Sequence, residues 1–226
     1  IALHGYIDPQ IYQTLDYTTR YADALARDGF LVIHPNLRGY PPSDEGDNLF
    51  RVGMAIDVLN LIEVLKAQAG REGALAQADA NALGIWGHSM GGGVSLRVIT
   101  THPAVRAAVL YGAMSGDDRR NYERIFAYCS NGTRGLEEMA YPPEAFLAIS
   151  PVYYLERIQA QVSVHHGNRD ADVPHAWSKE LCQMLADLTK QVECFFYPDE
   201  AHTLDGEGDE LFMRRTTDFF SRALKP

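Results

Sequence analysis

The chain has 226 residues, of which 46% are hydrophobic and 22% charged, and this composition excludes disordered, collagen-like and coiled-coil proteins. Its formal net charge of −10 makes nucleic acid and anionic membrane surfaces poor partners. No apolar run is long enough to predict a transmembrane segment.

Short β-rich segments alternate along the chain with segments of helical periodicity. Six strands are predicted, at 1–3, 30–34, 83–86, 105–111, 162–165 and 192–197. Helices are predicted between and after them, at about 11–26, 54–65, 94–99, 177–188 and 211–220. Strands that alternate with helices favour a mostly parallel sheet flanked by helices, in a single α/β domain over 1–226.

The stretch from 113 to about 150 is too long for a plain connection between a strand and a helix. We predict a small insertion or lid above the carboxyl edge of the sheet, where α/β proteins bind their ligands. Its aromatic residues either line an acyl or aryl pocket or form a small core of the insertion itself. They are Tyr122, Phe126, Tyr128, Tyr141 and Phe146.

The three cysteines, Cys129, Cys182 and Cys194, fit neither a zinc pattern nor a disulfide framework. A bridge between Cys182 and Cys194 is one alternative, but free buried thiols are the expectation. No metal is predicted, because the acidic runs at 117–118 and 205–210 lack the spacing of a calcium loop. No cofactor is predicted either, because no phosphate-binding glycine loop follows a strand.

The segment Gly87-His88-Ser89-Met90-Gly91 fits the pattern G-x-S-x-G and joins a predicted strand to a predicted helix. A serine on such a sharp turn exposes its hydroxyl at the top of the sheet. The glycines on both sides relieve the clashes that this strained backbone would otherwise cause. The motif therefore predicts a nucleophilic serine, which needs a base and an orienting carboxylate.

Candidates for the base and the carboxylate follow two later strands. In this arrangement the chain order is serine, then Asp or Glu, then His. Asp170 and Asp172 come shortly after the strand at 162–165, and His202 comes after the strand at 192–197. Each stands past the carboxyl end of a predicted parallel strand, so we expect all of them at the same edge of the sheet as Ser89.

The sequence resembles the α/β-hydrolase superfamily, and within it the prolyl-oligopeptidase-like catalytic domains and related carboxylesterases. The residues that carry the resemblance are His4-Gly5-Tyr6, Asn36-Leu37-Arg38-Gly39, Gly87-His88-Ser89-Met90-Gly91-Gly92, Ser150-Pro151, His166-Gly167-x-x-Asp170-x-x-Val173-Pro174 and His202. The resemblance implies an α/β-hydrolase fold. It further implies that Ser89 is the nucleophile and His202 the general base. Asp170, rather than Asp172 or Glu200, would be the orienting acid.

The resemblance also implies an oxyanion hole with two donors. One is the backbone N–H of Met90, and the other belongs to Tyr6, through its backbone N–H or its hydroxyl. His88 is expected to pack near the serine turn without acting as a base. His165 should point away from the site if His166 points towards it, because neighbours on a strand alternate.

The sheet of this superfamily usually has eight strands, and six are predicted here. We therefore expect the first strands of the fold to precede Ile1. The sequence leaves the compartment open, with the cytoplasm slightly favoured over secretion. It also leaves the oligomeric state open.

These observations predict a serine hydrolase that cleaves carboxylic esters through an acyl-enzyme intermediate. Its partner would then be a small-molecule ester. The alternative is a serine peptidase of the prolyl-oligopeptidase type that acts on short peptides. A binding protein without catalysis is a third class, and the presence of Ser89, Asp170 and His202 argues against it.

Overall fold

A computed structural model describes residues 1–225, and its centre is a sheet of five parallel strands that lie side by side in chain order. The strands are β1 (Ala2–Leu3), β2 (Leu83–His88), β3 (Val105–Tyr111), β4 (Gln161–Gly167) and β5 (Val192–Tyr197). The helices are α1 (Thr19–Arg27), α2 (Val52–Gln68), α3 (Met90–Thr101), α4 (Asp118–Arg124), α5 (Leu136–Met139), α6 (Pro143–Ile149), α7 (His175–Asp187) and α8 (Gly206–Leu224). Within these residues no helix is both long and apolar enough to cross a membrane.

Helices cover both faces of the sheet because side chains alternate along each strand. On β2, Ile85 points into a core formed with α2, α3 and α7, while its neighbour Trp86 packs with α1 and α8 on the other face. Both side chains are almost fully buried. A strand buried on both sides needs a continuous apolar run, as residues 107–111 of β3 provide. The predicted α/β fold with a parallel sheet is confirmed.

Two sequence predictions near the amino-terminal end are wrong in detail. Residues 30–34 lie beside β1, but they form no strand of the sheet, which therefore has five strands rather than six. Only the hydrogen bond from Ala2 N–H to the Ile33 carbonyl, at 2.8 Å, joins the two segments. The predicted helix at 11–26 begins only at Thr19, because Leu15 and Tyr17 adopt left-handed backbone with φ of 72° and 65°.

The segment between β3 and β4 contains α4, α5 and α6, which are all short. Tyr122, Ile125 and Phe146 bury their side chains against Phe50, which belongs to the turn before α2. Tyr128 and Tyr141 are exposed. Of the aromatic residues in this segment, Tyr122 and Phe146 therefore help to form a small core, which is separate from the two cores on either face of the sheet.

The cysteines differ from the expectation of free buried thiols. Cys182 on α7 and Cys194 on β5 form a disulfide, and Cys129 is exposed. Helix α7 packs directly on β5 and brings the two Cα atoms to 6.5 Å, a separation that a disulfide can bridge. The sequence spacing alone did not indicate this approach.

Candidate active site

Ser89 occupies the sharp turn between β2 and α3, with φ of 52° and ψ of −114°. This conformation is strained for a residue with a side chain. The surroundings hold it: Ser89 N–H donates to the Tyr111 carbonyl, and the Ser89 carbonyl accepts from Gly93 and Met114 N–H, at 2.9, 3.1 and 3.1 Å respectively. A Cβ on Gly91 would lie 2.4 Å from the Leu3 carbonyl oxygen, so the turn requires glycine there.

Asp170 lies in the loop after β4 and meets His202 in the loop after β5. Asp170 Oδ2 is 2.6 Å from His202 Nδ1, and the aspartate side chain is completely buried. Its Oδ1 accepts hydrogen bonds from the N–H groups of Asp172 and Val173, at 2.9 and 2.8 Å. Burial alone would raise the pKa of Asp170, but hydrogen bonds from His166 and His202 outweigh it and hold the pKa well below its usual range.

The rival acids of the sequence analysis make different contacts. The carboxylate of Asp172 is solvent-exposed and forms no hydrogen bond with His202 within residues 1–225. The Glu200 carboxylate accepts a hydrogen bond from Asp205 N–H at 3.0 Å. The structure therefore brings Asp170, and neither of the other two acids, into hydrogen-bond contact with His202.

Three further histidines surround these residues. His88 Nε2 donates to the His202 carbonyl at 3.0 Å, and burial lowers the pKa of His88 to about 3, so its ring is neutral at pH 7. His166 Nε2 lies 2.9 Å from Asp170 Oδ2. His165 points to the opposite face of the sheet, where its Nδ1 meets the Tyr197 hydroxyl at 2.9 Å.

The loop after β1 forms the other side of the turn. A Cβ on Gly5 would stand 3.1 Å from His88 Nδ1 and 3.3 Å from Ser89 Cβ, so glycine lets the loop come this close. Met90 is the first residue of α3, where the N–H groups lack partners within the helix. Within residues 1–225, neither Met90 N–H nor Tyr6 N–H has a hydrogen-bond acceptor. The Tyr6 ring lies under the Arg134 guanidinium, 4.1 Å from its centre.

The site opens into two neighbouring clefts. Ser89, His202 and Tyr6 line a cleft of about 400 Å³. A second cleft, of about 450 Å³, also has Tyr6 in its wall and extends past Met90 and Arg134 towards the insertion. No hydrogen bond joins Ser89 Oγ to His202 in the part of the chain described. Such contacts are often long before substrate binds.

One cluster contains enough ligand atoms for a metal ion, namely Asp170, Asp172 and His202. Both oxygens of Asp170 already accept hydrogen bonds from imidazole or backbone N–H groups. A cation on Asp170 Oδ2 would face these N–H donors rather than free lone pairs. The contacts are those of a carboxylate that orients a histidine.

The contact between His166 and Asp170 was not predicted from the sequence. His166 was considered only as the strand neighbour that would point towards the site if His165 points away, and it had no assigned partner. The spacing of the motif, four residues from His166 to Asp170, was the available signal. It could not show that the loop after β4 folds back so that the aspartate meets the imidazole.

A profile of the prolyl oligopeptidase family matches residues 16–226. Among solved structures, an acylaminoacyl peptidase in complex with Z-Gly-Gly-Phe-chloromethyl ketone is 23% identical with a TM-score of 0.74, over 99% of this chain and 36% of that one. A puromycin-hydrolyzing peptidase of Mycobacterium tuberculosis is 23% identical with a TM-score of 0.67, over 79% and 26%. A candidate dienelactone hydrolase of Klebsiella pneumoniae is 18% identical with a TM-score of 0.67, over 98% and 85%.

The structures share the fold of this chain at low identity. The chain spans only about a quarter to a third of the two peptidases, whereas it matches most of the length of the Klebsiella protein. The family profile, in contrast, covers nearly all of the sequence, including the serine turn and the loops of Asp170 and His202. The chain therefore belongs to the prolyl oligopeptidase family.

Proposed function

We propose that the chain is a serine hydrolase in which Ser89 is the nucleophile, His202 the general base and Asp170 the orienting acid. The observation that carries this proposal is the 2.6 Å contact between His202 Nδ1 and Asp170 Oδ2. It lies at the edge of the cleft that Ser89 lines. A buried carboxylate at this position fixes the imidazole with Nδ1 protonated, and Nε2 is then free to accept a proton.

The reaction proceeds in two acyl-transfer steps. Ser89 Oγ attacks the substrate carbonyl and forms a C–O bond while its proton passes to His202 Nε2. His202 then gives this proton to the leaving amine or alcohol, and the bond between the carbonyl carbon and the leaving group breaks. Water repeats the sequence on the acyl-enzyme, releases the acid and restores Ser89.

The carbonyl oxygen becomes negatively charged in both steps and needs donors that are already in place. We assign this role to Met90 N–H and Tyr6 N–H. Both lack an acceptor within residues 1–225, and the contact of the Gly5 loop with Ser89 supports their position on one side of the nucleophile. Engagement of the Tyr6 ring by Arg134 favours the backbone N–H over the hydroxyl.

We propose amide bonds of short peptides as the preferred substrates, ahead of carboxylic esters. Membership of the prolyl oligopeptidase family and the peptidases among the similar structures support this order over the ester hydrolysis predicted from the sequence. Ester hydrolysis remains the second candidate, because the Klebsiella protein of comparable length is described as a dienelactone hydrolase.

Matched pairs of substrates test this proposal. Peptidyl p-nitroanilides and p-nitrophenyl esters that carry the same acyl group differ only in the bond cleaved. We expect anilide turnover, and we expect Ser89→Ala to lower kcat by at least about 10⁴-fold while the folded protein keeps its stability. Ester turnover with no anilide turnover would make the enzyme an esterase. Activity that persists in Ser89→Ala would remove Ser89 as the nucleophile.

A further inference from the structure

His166 contacts the same carboxylate oxygen as His202. Its Nε2 lies 2.9 Å from Asp170 Oδ2, and His202 Nδ1 lies 2.6 Å from that atom. The His166 side chain is fully buried, whereas that of His202 is 17% exposed. Asp170 Oδ2 thus sits between an imidazole that borders the cleft and an imidazole enclosed in the protein.

The surroundings of His166 determine which of its nitrogens carries hydrogen. Nε2 faces two acceptors, Asp170 Oδ2 and the Val173 carbonyl, the latter at 3.0 Å. Nε2 must therefore be protonated and donate. Nδ1 lies 2.7 Å from Ser178 Oγ, and in the neutral ring it accepts a hydrogen bond from the Ser178 hydroxyl.

These contacts fix His166 from three directions. Its backbone belongs to β4, Ser178 belongs to α7, and Val173 belongs to the loop between them. Ser178 is 2% exposed, so water does not compete for the ring. Any rotation of Asp170 away from His202 would break the contact with His166 as well.

We propose that His166 is a positioning residue, which holds Asp170 in line with His202 and draws negative charge away from their shared oxygen. This inference rests on the proposed function, since it assigns to His166 an effect on the base. A carboxylate with an extra donor stabilises the positive charge on its other partner less strongly. Removal of this donor should therefore strengthen the interaction between Asp170 and the protonated ring of His202.

Other polar and charged groups also face this pair. His88, on β2, is neutral at pH 7, because burial lowers its pKa to about 3. Asp172 lies in the loop of Asp170, and its solvent-exposed carboxylate has an oxygen within 4.8 Å of Asp170 and His202, so its charge acts equally on wild type and variants. Arg124, at the end of α4, donates to the carbonyls of Ala171 and Asp172 rather than to a carboxylate. Within residues 1–225, His166 and His202 are the only imidazoles with a ring nitrogen within 2.9 Å of the Asp170 carboxylate.

Three substitutions of His166 distinguish the effect of losing the N–H donor from the effect of changing the volume of the side chain. His166→Leu keeps an apolar side chain but has no donor. His166→Asn has an amide that is too short to reach Asp170. His166→Gln can place an N–H near the position of Nε2 and serves as the matched control. Thermal unfolding identifies the variants that remain folded, and the Asn variant replaces the Leu variant if the latter does not fold.

The readout is the titration of the His202 ring by NMR, with the His202 resonance assigned by its loss in His202→Gln. We expect the midpoint to rise by about 0.5 to 1 pH unit in the Leu and Asn variants and to stay unchanged in the Gln variant. The acid limb of kcat/KM against pH should move by the same amount, and kcat should fall because Asp170 is held less firmly.

A midpoint that stays constant or falls in folded His166→Leu or His166→Asn would overturn the inference. This result is distinct from failure of the proposed function. The NMR titration needs no substrate, so it tests His166 even if the wild-type protein hydrolyses neither anilides nor esters.

Discussion

The candidate active site has two walls, which border two neighbouring clefts that meet at Tyr6 and are built differently. The loops after β2, β4 and β5 form one wall and carry Ser89, Asp170 and His202. The segment between β3 and β4, the predicted insertion, forms the other wall along the second cleft, and its short helices have a separate core around Phe146. In the first wall, hydrogen bonds fix both oxygens of Asp170 and Nδ1 of His202. The second wall leaves Tyr128 and Tyr141 exposed.

Because of this difference, we expect the catalytic step and the binding of the substrate to depend on different parts of the molecule. Strand ends hold side chains at a fixed spacing, because the register of the sheet determines it. A segment with its own small core can change shape without disturbing that spacing. We therefore expect changes in the strand wall to lower kcat and changes in the insertion wall to alter KM.

The largest expected effect lies in the strand wall. Asp170→Asn should lower kcat by about 10⁴-fold, because an amide cannot hold His202 in the tautomer that accepts the serine proton. Asp172→Asn is the matched control two residues away and should leave kcat within about threefold. Steady-state kinetics of both variants provide the measurement. If Asp172→Asn is the more damaging change, the assignment of the acid is reversed.

A change in the insertion core tests the other half of the comparison. Phe146→Ala removes a side chain that is 5% exposed and should lower the free energy of unfolding by about 3 kcal/mol. The neighbouring Leu147 is 49% exposed, and Leu147→Ala should cost less than about 0.5 kcal/mol. Urea unfolding of both variants gives these values.

The same Phe146→Ala variant separates the two kinetic constants. KM for the larger acyl groups should rise, while kcat for the smallest acyl group stays within about threefold. A kcat that falls for every substrate, with KM unchanged, would mean that the insertion helps to hold the catalytic groups. The division between the two walls would then be wrong.

The sequence predicted most of the strand wall, because its information is local. The glycines of the serine turn and the position of Asp170 and His202 after strands can be read without distances. The contacts of His166 and the disulfide could not be predicted in this way. Both depend on how closely α7 packs on the sheet, and the 6.5 Å between the Cα atoms of Cys182 and Cys194 is a property of that packing.

Residues 30–34 also show that local sequence does not report distant contacts, here because a strand was predicted that the structure does not form. Their β-rich composition predicted a strand, but β1 is only two residues long and offers almost no backbone to pair with. A strand needs a partner of matching length, and composition does not report one. The left-handed residues Leu15 and Tyr17, likewise, have no signature in the helical periodicity that continues through them.

The disulfide is the next test, and it concerns stability rather than rate. Replacement of both Cys182 and Cys194 by serine should lower the free energy of unfolding by about 2 to 3 kcal/mol, because the unfolded chain regains the freedom of the closed loop. Cys129→Ser should have no effect, since this residue is exposed and unbridged. Thermal and urea unfolding, with and without reductant, measure both. A double variant as stable as the parent under oxidising conditions would contradict the bridge.

The smallest effect is expected where the two walls meet, at Tyr6. Its backbone belongs to the loop beside Ser89, and its ring packs under Arg134 of the insertion. If the backbone N–H stabilises the oxyanion, Tyr6→Phe keeps the donor as well as the ring. We then expect kcat/KM to change less than about twofold.

A large loss of activity in Tyr6→Phe would instead identify the hydroxyl as the donor. Loss of an oxyanion donor costs about 10² to 10³ in kcat, so a fall of this size in Tyr6→Phe would assign the donor to the hydroxyl. The ring would then have to leave Arg134 and turn towards Ser89 when substrate binds. Arg134→Gln distinguishes the two cases, because it removes the stacking partner of Tyr6. It should raise KM if Tyr6 only forms part of the wall, and it should raise kcat if release of the ring is part of the reaction.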